Sequence, residues 1–275
     1  MSSLTEHELV VDLDATLISS NSDMTTYQGL NLYTDPTSVG LRSRIYHINL
    51  VDATSVEGTG ETIPMWGIYR PYLAEFLRFA SVYFKAVHIW SAGRYKYVWT
   101  IADRIEAIAP EFKPQTVFTQ DDCEMGTSTV HKPLRKLYET CGCGASAEHT
   151  LAIDDREDTF SQNVGNGILI PPYEPEETKE GILKEDVALL QFMMWLSLPE
   201  VMNSKDVRKL DKSRIFTTSV AEYTHMLKLS YNRAIPQSLE AELSETAPPS
   251  PRTHTSSTKH NFQLPSITKV PEVIV

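Results

Sequence analysis

Residues 8–17 read E-L-V-V-D-L-D-A-T-L. The run from Glu8 to Leu13 is short, apolar and β-branched, as a strand buried on both faces requires. Asp12, Asp14 and Thr16 come at its end. Carboxylates in that place project into the crevice beyond the carboxyl ends of the strands, where open α/β sheets bind their ligands. Two carboxylates and a backbone carbonyl there make a hard-oxygen site of the kind magnesium prefers. One carboxylate can attack phosphorus while the other moves protons.

Outward from this stretch, short apolar runs alternate with amphipathic ones. Strands are expected at Ala86–Trp90, Thr116–Thr119, His149–Ile153 and Gly167–Ile170. Helices are expected at Pro71–Tyr83, where Leu73, Phe76, Leu77 and Ala80 share one face, at Tyr95–Ile108 and at Lys132–Thr140. A strongly apolar helix is expected at Ile182–Leu198, and one or two helices over Leu210–Ile235. Alternation of this kind predicts a layered α/β fold with a mainly parallel central sheet. Residues 17–62 are rich in Ser, Thr, Asn, Asp and Gly and read as a small β-containing insertion, with a strand at Arg44–Val51. The domain reading is a main domain over 1–200, a helical extension over 201–245 and a Pro/Ser/Thr-rich tail over 246–275. The tail holds five prolines and nine Ser or Thr, too polar and broken to build a core.

The composition narrows the function. The chain has 275 residues and a formal charge of −11, a poor match to non-specific binding of nucleic acid. Residues 70–113 run the other way, with seven Lys or Arg against four Asp or Glu, which suits an anionic ligand. No apolar run reaches the roughly 18 residues of a membrane span, and no secretory signal pattern opens the sequence. Three cysteines, Cys123, Cys141 and Cys143, do not make a disulfide scaffold and point to a reducing, intracellular compartment. A zinc site of Cys141, Cys143 and His149 with Cys123 or His131 is disfavoured, because C-x-C is not the usual zinc spacing and no second pair exists. Trp90, Tyr95, Tyr97 and Trp99 are read as buried helix and strand positions rather than a base-stacking surface.

Three further positions fall at strand ends or helix starts. Ser91 closes I-W-S-A-G, Lys132 opens a predicted helix, and Asp154-Asp155 follow L-A-I. They supply a hydroxyl, a cation and further metal ligands, the groups phosphoryl transfer needs around its oxygens.

This order of motifs resembles the haloacid-dehalogenase superfamily. More closely, it is similar to the RNA polymerase II carboxy-terminal-domain phosphatases, also called nuclear-LIM-interactor-interacting-factor-like phosphatases. The supporting segments are D-L-D-A-T-L at 12–17, Y-R-P-Y-L-A-E-F-L at 69–77 and I-W-S-A-G-R-Y at 89–95. H-K-P-L-R-K-L at 131–137, L-A-I-D-D-R-E-D-T-F at 151–160 and N-G-I-L-I-P-P-Y at 166–173 complete the set. Ala15 stands where the family usually has Glu, and Ser91 where Thr is commoner.

The resemblance implies a Rossmannoid three-layer fold without a large cap. It implies a magnesium-dependent phosphatase acting on phosphoserine or phosphothreonine in protein, with an aspartyl-phosphate intermediate. Asp12 would be the nucleophile and Asp14 the proton donor and then base. Thr16 would orient Asp14 or the phosphate, Ser91 would bind a phosphate oxygen, and Lys132 would neutralise the phosphate and hold Asp12. Asp12, Asp14, Asp154 and Asp155 would form the Mg2+ site, and Arg70 and Arg94 would lie near the substrate. Implied partners are a phosphorylated protein and the transcription machinery, with a nuclear location. The competing readings are a phosphatase of the same fold acting on a small metabolite or a nucleic-acid end, and a catalytically idle module that binds phosphopeptide or a transcription factor.

Overall fold

The computed structural model describes residues 3–51 and 60–234; the expected 246–275 tail and the end of the 201–245 extension lie outside them. By its contacts the chain divides after Arg233, and the first unit, Met1–Arg233, carries the sheets and the helices packed on them.

Among the described residues there are ten strands: β1 (Glu8–Val11), β2 (Ile18–Asn21), β3 (Ile45–Val51), β4 (Thr62–Tyr69), β5 (Ala86–Trp90), β6 (Thr116–Phe118), β7 (Glu124–Met125), β8 (Val130–His131), β9 (Thr150–Asp154) and β10 (Gly167–Leu169). The α-helices among them are α1 (Met24–Gly29), α2 (Leu73–Tyr83), α3 (Tyr95–Ile108), α4 (Leu134–Thr140), α5 (Lys179–Leu183), α6 (Ala188–Leu196), α7 (Pro199–Met202) and α8 (Val220–Ala234).

The central sheet has the order β10-β9-β1-β5-β6 and is parallel throughout. The strand that leads into Asp12, β1, is therefore its middle strand. Its residues alternate between two cores, as a strand's period of two demands. Leu9 and Val11, with Val87, Ile89, Leu151 and Ile153, belong to the large core that includes α2, α3 and α6. Val10, with Trp90, Phe118 and Ala152, belongs to a second core against Leu134 and Leu137 of α4. Helices on both faces of a parallel sheet make the expected three-layer α/β fold.

Between β1 and α2 the chain builds an antiparallel sheet of order β2-β4-β3, with α1 beside it. Its own core holds Leu30, Leu41, Ile45, Trp66 and Ile68. Gly67 in β4 allows a close approach: a Cβ there would stand 2.3 Å from the Tyr46 ring and 2.6 Å from the Ser19 carbonyl oxygen.

Several expectations shift. The helix expected over Ile182–Leu198 is two helices, α5 and α6. The break falls at residues 184–187, where Asp186 Oδ1 accepts from Ala188 N, the first residue of α6, at 3.1 Å. Lys132 does not open a helix; it follows β8, and Pro133 caps α4. The one or two helices expected over Leu210–Ile235 are, among the described residues, the single α-helix α8. Cys141 and Cys143, expected as thiols, are joined in a disulfide with a Cα–Cα distance of 5.2 Å. That separation lies in the range a disulfide spans, and Gly142, at φ +59°, supplies the tight turn between them.

Candidate active site

Because β1 is central, its carboxyl end is flanked by those of β5 and β9. Ser91 follows β5, Asp154 ends β9 and Asp12 follows β1, so parallel register alone brings three distant segments to one edge. Lys132 arrives from the other side, its backbone N–H donating to the Thr159 carbonyl at 2.7 Å. Its ammonium donates to Asp12 Oδ1 at 2.5 Å and to Asp154 Oδ2 at 2.7 Å. Asp12, Lys132 and Asp154 are all buried. Burial works against the Lys132 charge, but the two carboxylates outweigh it and hold its pKa above the ordinary lysine value. Burial pushes the Asp12 carboxyl up, with Asp154 and Asp14 adding to the push and Lys132 opposing it.

Asp12, Asp154 and Asp155 each present a carboxylate oxygen within 4.8 Å of the others. Asp155 is half-buried, and its carboxyl is raised by burial and then by the neighbouring Asp154 charge. Three hard oxygen donors sharing one ammonium leave a net negative pocket, and that donor chemistry fits a magnesium ion. Asp14, expected among the ligands, turns its carboxylate elsewhere. Tyr97 Oη donates to Asp14 Oδ1. Ser20 Oγ lies 2.5 Å from Tyr97 Oη and 2.6 Å from Tyr46 Oη. Burial raises the Asp14 carboxyl, while Tyr97 and Ser20 pull it down.

A cavity of about 280 Å³ opens over these groups, lined in part by Asp12, Asp14, Ser91, Lys132, Asp155 and Arg156. Ser91 is buried, and its Oγ accepts from Gly93 N at 3.0 Å, shaping the turn that leads into α3. Arg94 is the exposed N-cap residue of α3. Thr16 is fully buried, its hydroxyl makes no hydrogen bond, and it is not among the residues lining the cavity.

Arg70, expected near the substrate, is instead a buried tie. Its guanidinium donates to both oxygens of Asp186 at 2.9 Å, to the Thr16 carbonyl at 3.0 Å and to the Pro171 carbonyl at 2.8 Å. These acceptors occupy its fork, and it does not line the cavity. Two residues of the site escaped the sequence reading. Tyr97 reads as an ordinary helix-face aromatic; only its place one turn into α3, behind Ser91, hinted at the site. Arg156 is visible in D-D-R-E-D but carries no motif signal; it lines the cavity while paired with Asp158.

A mainly parallel α/β sheet with paired aspartates, a lysine and a hydroxyl at its carboxyl edge defines a phosphatase-like class of fold. The comparisons with known proteins agree: residues 7–208 match the family model of NLI interacting factor-like phosphatases, and the chain belongs to that family. Among solved structures, it is similar to fission yeast Fcp1, an RNA polymerase II CTD phosphatase, bound to beryllium fluoride (21% identity, TM-score 0.49, covering 88% of this chain and 56% of that one). A second structure described as Fcp1, an essential RNA polymerase II CTD phosphatase, matches at 22% identity and TM-score 0.48, covering 90% of this chain and 56% of that one. A haloacid-dehalogenase-superfamily hydrolase from Ehrlichia chaffeensis matches at 13% identity and TM-score 0.32, over 60% of this chain and 86% of that one. The chain thus spans little more than half the length of the Fcp1 structures. No curated protein matches the sequence significantly.

Proposed function

We propose that this protein is a magnesium-dependent phosphatase that removes phosphate from phosphoserine or phosphothreonine in protein by way of an aspartyl-phosphate on Asp12. The observation that carries the reading is the buried Asp12–Lys132–Asp154 cluster at the middle of the carboxyl edge, with Asp14 and Ser91 lining the same cavity. One Asp12 oxygen attacks phosphorus, and the bond from phosphorus to the seryl or threonyl oxygen breaks. Asp14 gives its proton to that leaving oxygen; burial favours the protonated form it needs. Asp14 then takes a proton from the water that attacks the acyl phosphate, which restores Asp12. Lys132 offsets charge on the transferring oxygens, and the Ser91 hydroxyl donates to one of them. Asp12, Asp154 and Asp155 would hold magnesium, which neutralises phosphate charge when bound.

A protein substrate is favoured by the build of residues 17–62. Among the described residues this segment supplies β2 and β3, which pair with β4, and short helices, not a helical cap over the cavity. An open cavity admits an extended chain. RNA polymerase II tail peptides are the first substrates to try, and a nuclear site of action would follow from such a substrate.

The test measures kcat/KM on a Ser-Pro phosphopeptide, a non-proline phosphopeptide, a sugar phosphate and a nucleotide, with magnesium and after chelation. Phosphopeptides should lead, chelation should stop turnover, and Asp12→Asn should lower kcat by at least about 10⁴-fold with the fold intact. Full turnover after chelation or in Asp12→Asn would refute the mechanism. A tenfold preference for a metabolite, about 1.4 kcal/mol of transition-state binding, would overturn the substrate class.

A further inference from the structure

A second cluster of reactive side chains lies at the opposite end of β1. The alternation that places Val10 on the α4 side of the sheet places Glu8 there too, and His88 joins them from β5. Both are buried, Glu8 at 1% and His88 at 0% exposure. Phosphoryl transfer gives them no role, since four residues of extended strand put Glu8 about 13 Å from Asp12. His88 Nε2 lies 3.3 Å from Glu8 Oε2, and His88 Nδ1 lies 2.8 Å from Thr116 Oγ1.

The turn after α4 closes over this pair. Cys141 caps α4, and Gly142 and Gly144, at φ +59° and +76°, swing Cys143 back to the sheet. Cys143 Sγ comes to 3.7 Å from Glu8 Oε2. One donor atom each of Glu8, His88 and Cys143 lies within 4.8 Å of the others, and Cys141 Sγ is bonded to Cys143 Sγ. Both cysteines are half-buried beside exposed Gly142 and Gly144, so a reductant and an ion can reach them.

We propose that reducing the Cys141–Cys143 disulfide opens a zinc site formed by Cys141, Cys143, His88 and Glu8. A dithiol reductant supplies two electrons and two protons; its own sulfurs join as a disulfide while the Cys141–Cys143 bond breaks into two thiols. Zinc then binds both sulfurs as thiolates, and their protons leave to solvent. With its proton on Nδ1, the His88 ring donates to Thr116 Oγ1 and presents Nε2 to the metal. A ligand histidine anchored through its other nitrogen is the usual arrangement. Two sulfurs, one nitrogen and one carboxylate make a tetrahedral set that suits zinc. Two thiolates and Glu8 bring three negative charges to a doubly charged ion. The Lys85 ammonium, 3.8 Å from Glu8 Oε1, offsets the remainder. The C-x-C spacing, unpromising as half of a two-pair zinc finger, becomes adequate once the sheet supplies the other two ligands.

The probe is cobalt(II) added to the full chain, oxidised or reduced with a phosphine that brings no competing thiolate. The reduced chain should show a thiolate-to-cobalt charge-transfer band that saturates at one equivalent and is bleached by zinc; the oxidised chain should show none. Catalytic carboxylates cannot produce such a band. Cys143→Ser should abolish it, and Thr116→Val, which leaves all four ligands, should weaken cobalt affinity about 10- to 100-fold. Glu8→Gln and His88→Gln should weaken it at least as much. Absence of the band in the reduced chain overturns the proposal. So does a band of undiminished affinity in Thr116→Val, which would mean that the ion is bound without the anchored His88. Cys143→Ser and Thr116→Val lie in a turn and an edge strand, so the test does not depend on the buried variants folding.

Discussion

Asp14 is the residue whose surroundings say most about its task. Its carboxylate is held from behind by Tyr97, which shares Ser20 with Tyr46. In its proposed role as proton donor, Asp14 should lose little in binding and much in the chemical step when this support is removed. Tyr97→Phe should therefore lower kcat about tenfold with KM nearly unchanged, while Asp14→Asn should cost about 10² to 10⁴ in kcat. Steady-state kinetics on a phosphopeptide checks both; a Tyr97→Phe change confined to KM would place the tyrosine on the substrate instead. The aspartates, Ser91 and Lys132 were legible in the sequence because each sits at a strand end or beside one. Tyr97 was not, since a tyrosine on a helix face looks the same whether it meets leucine or a carboxylate.

Among elements, the second sheet and the segment between β10 and α6 are held by two features with measurable costs. Gly67→Ala would drive a methyl into the Tyr46 ring and the Ser19 carbonyl, and overpacking of this kind costs about 1–3 kcal/mol. Because Tyr46 is hydrogen-bonded to Ser20, the variant should also lose activity in its folded state, which denaturant titration and kinetics together would reveal. Arg70 joins Thr16, Pro171 and Asp186, the last of them 116 residues away in sequence. Arg70→Met should destabilise by about 3 kcal/mol, because it strands a partly buried carboxylate and two carbonyls. The expected signature is a lower denaturant midpoint with an unchanged slope. A substrate-binding arginine would instead raise KM and leave the midpoint alone. The start of helix α6 shows the same dependence on a distant partner: the apolar run of residues 182–198 reads as one helix, yet Asp186, held by Arg70, lies between α5 and α6 and accepts from Ala188 N at the first residue of α6.

For the molecule as a whole, the described residues beyond 200 contribute to the main core, which includes Val201, Val207, Ile215 and Tyr223. His7, just before β1, fastens this part: its ring Nε2 lies 2.9 Å from the Val201 carbonyl oxygen. Burial lowers its pKa below the ordinary 6.5, with the charges of His149 and Lys205 adding to the effect and the Val201 bond opposing it. The unfolded chain then binds the His7 proton near pH 6.5, and the folded one only at lower pH. Stability from this group is complete above about pH 6.5 and is lost as pH falls from there towards the folded value. Thermal unfolding should show the midpoint dropping below that pH, and His7→Gln should flatten the drop. An equally steep drop in the variant would assign it to another group.

By itself the sequence determined the α/β class, the strands that carry Asp12, Ser91 and Asp154, and the family to which they belong. Each of those follows from local signals: a period of two or of 3.6, a proline or glycine at an element's end, a polar residue at the end of an apolar run. Only the tertiary structure decided that β1 is the middle strand, that Arg70 is spent on Asp186, that Asp14 faces Tyr97, and that Cys143 meets Glu8 and His88. These outcomes depend on which strands pair and which side chains meet across long stretches of chain. No local pattern encodes that; packing and charge compensation select it when the whole core closes.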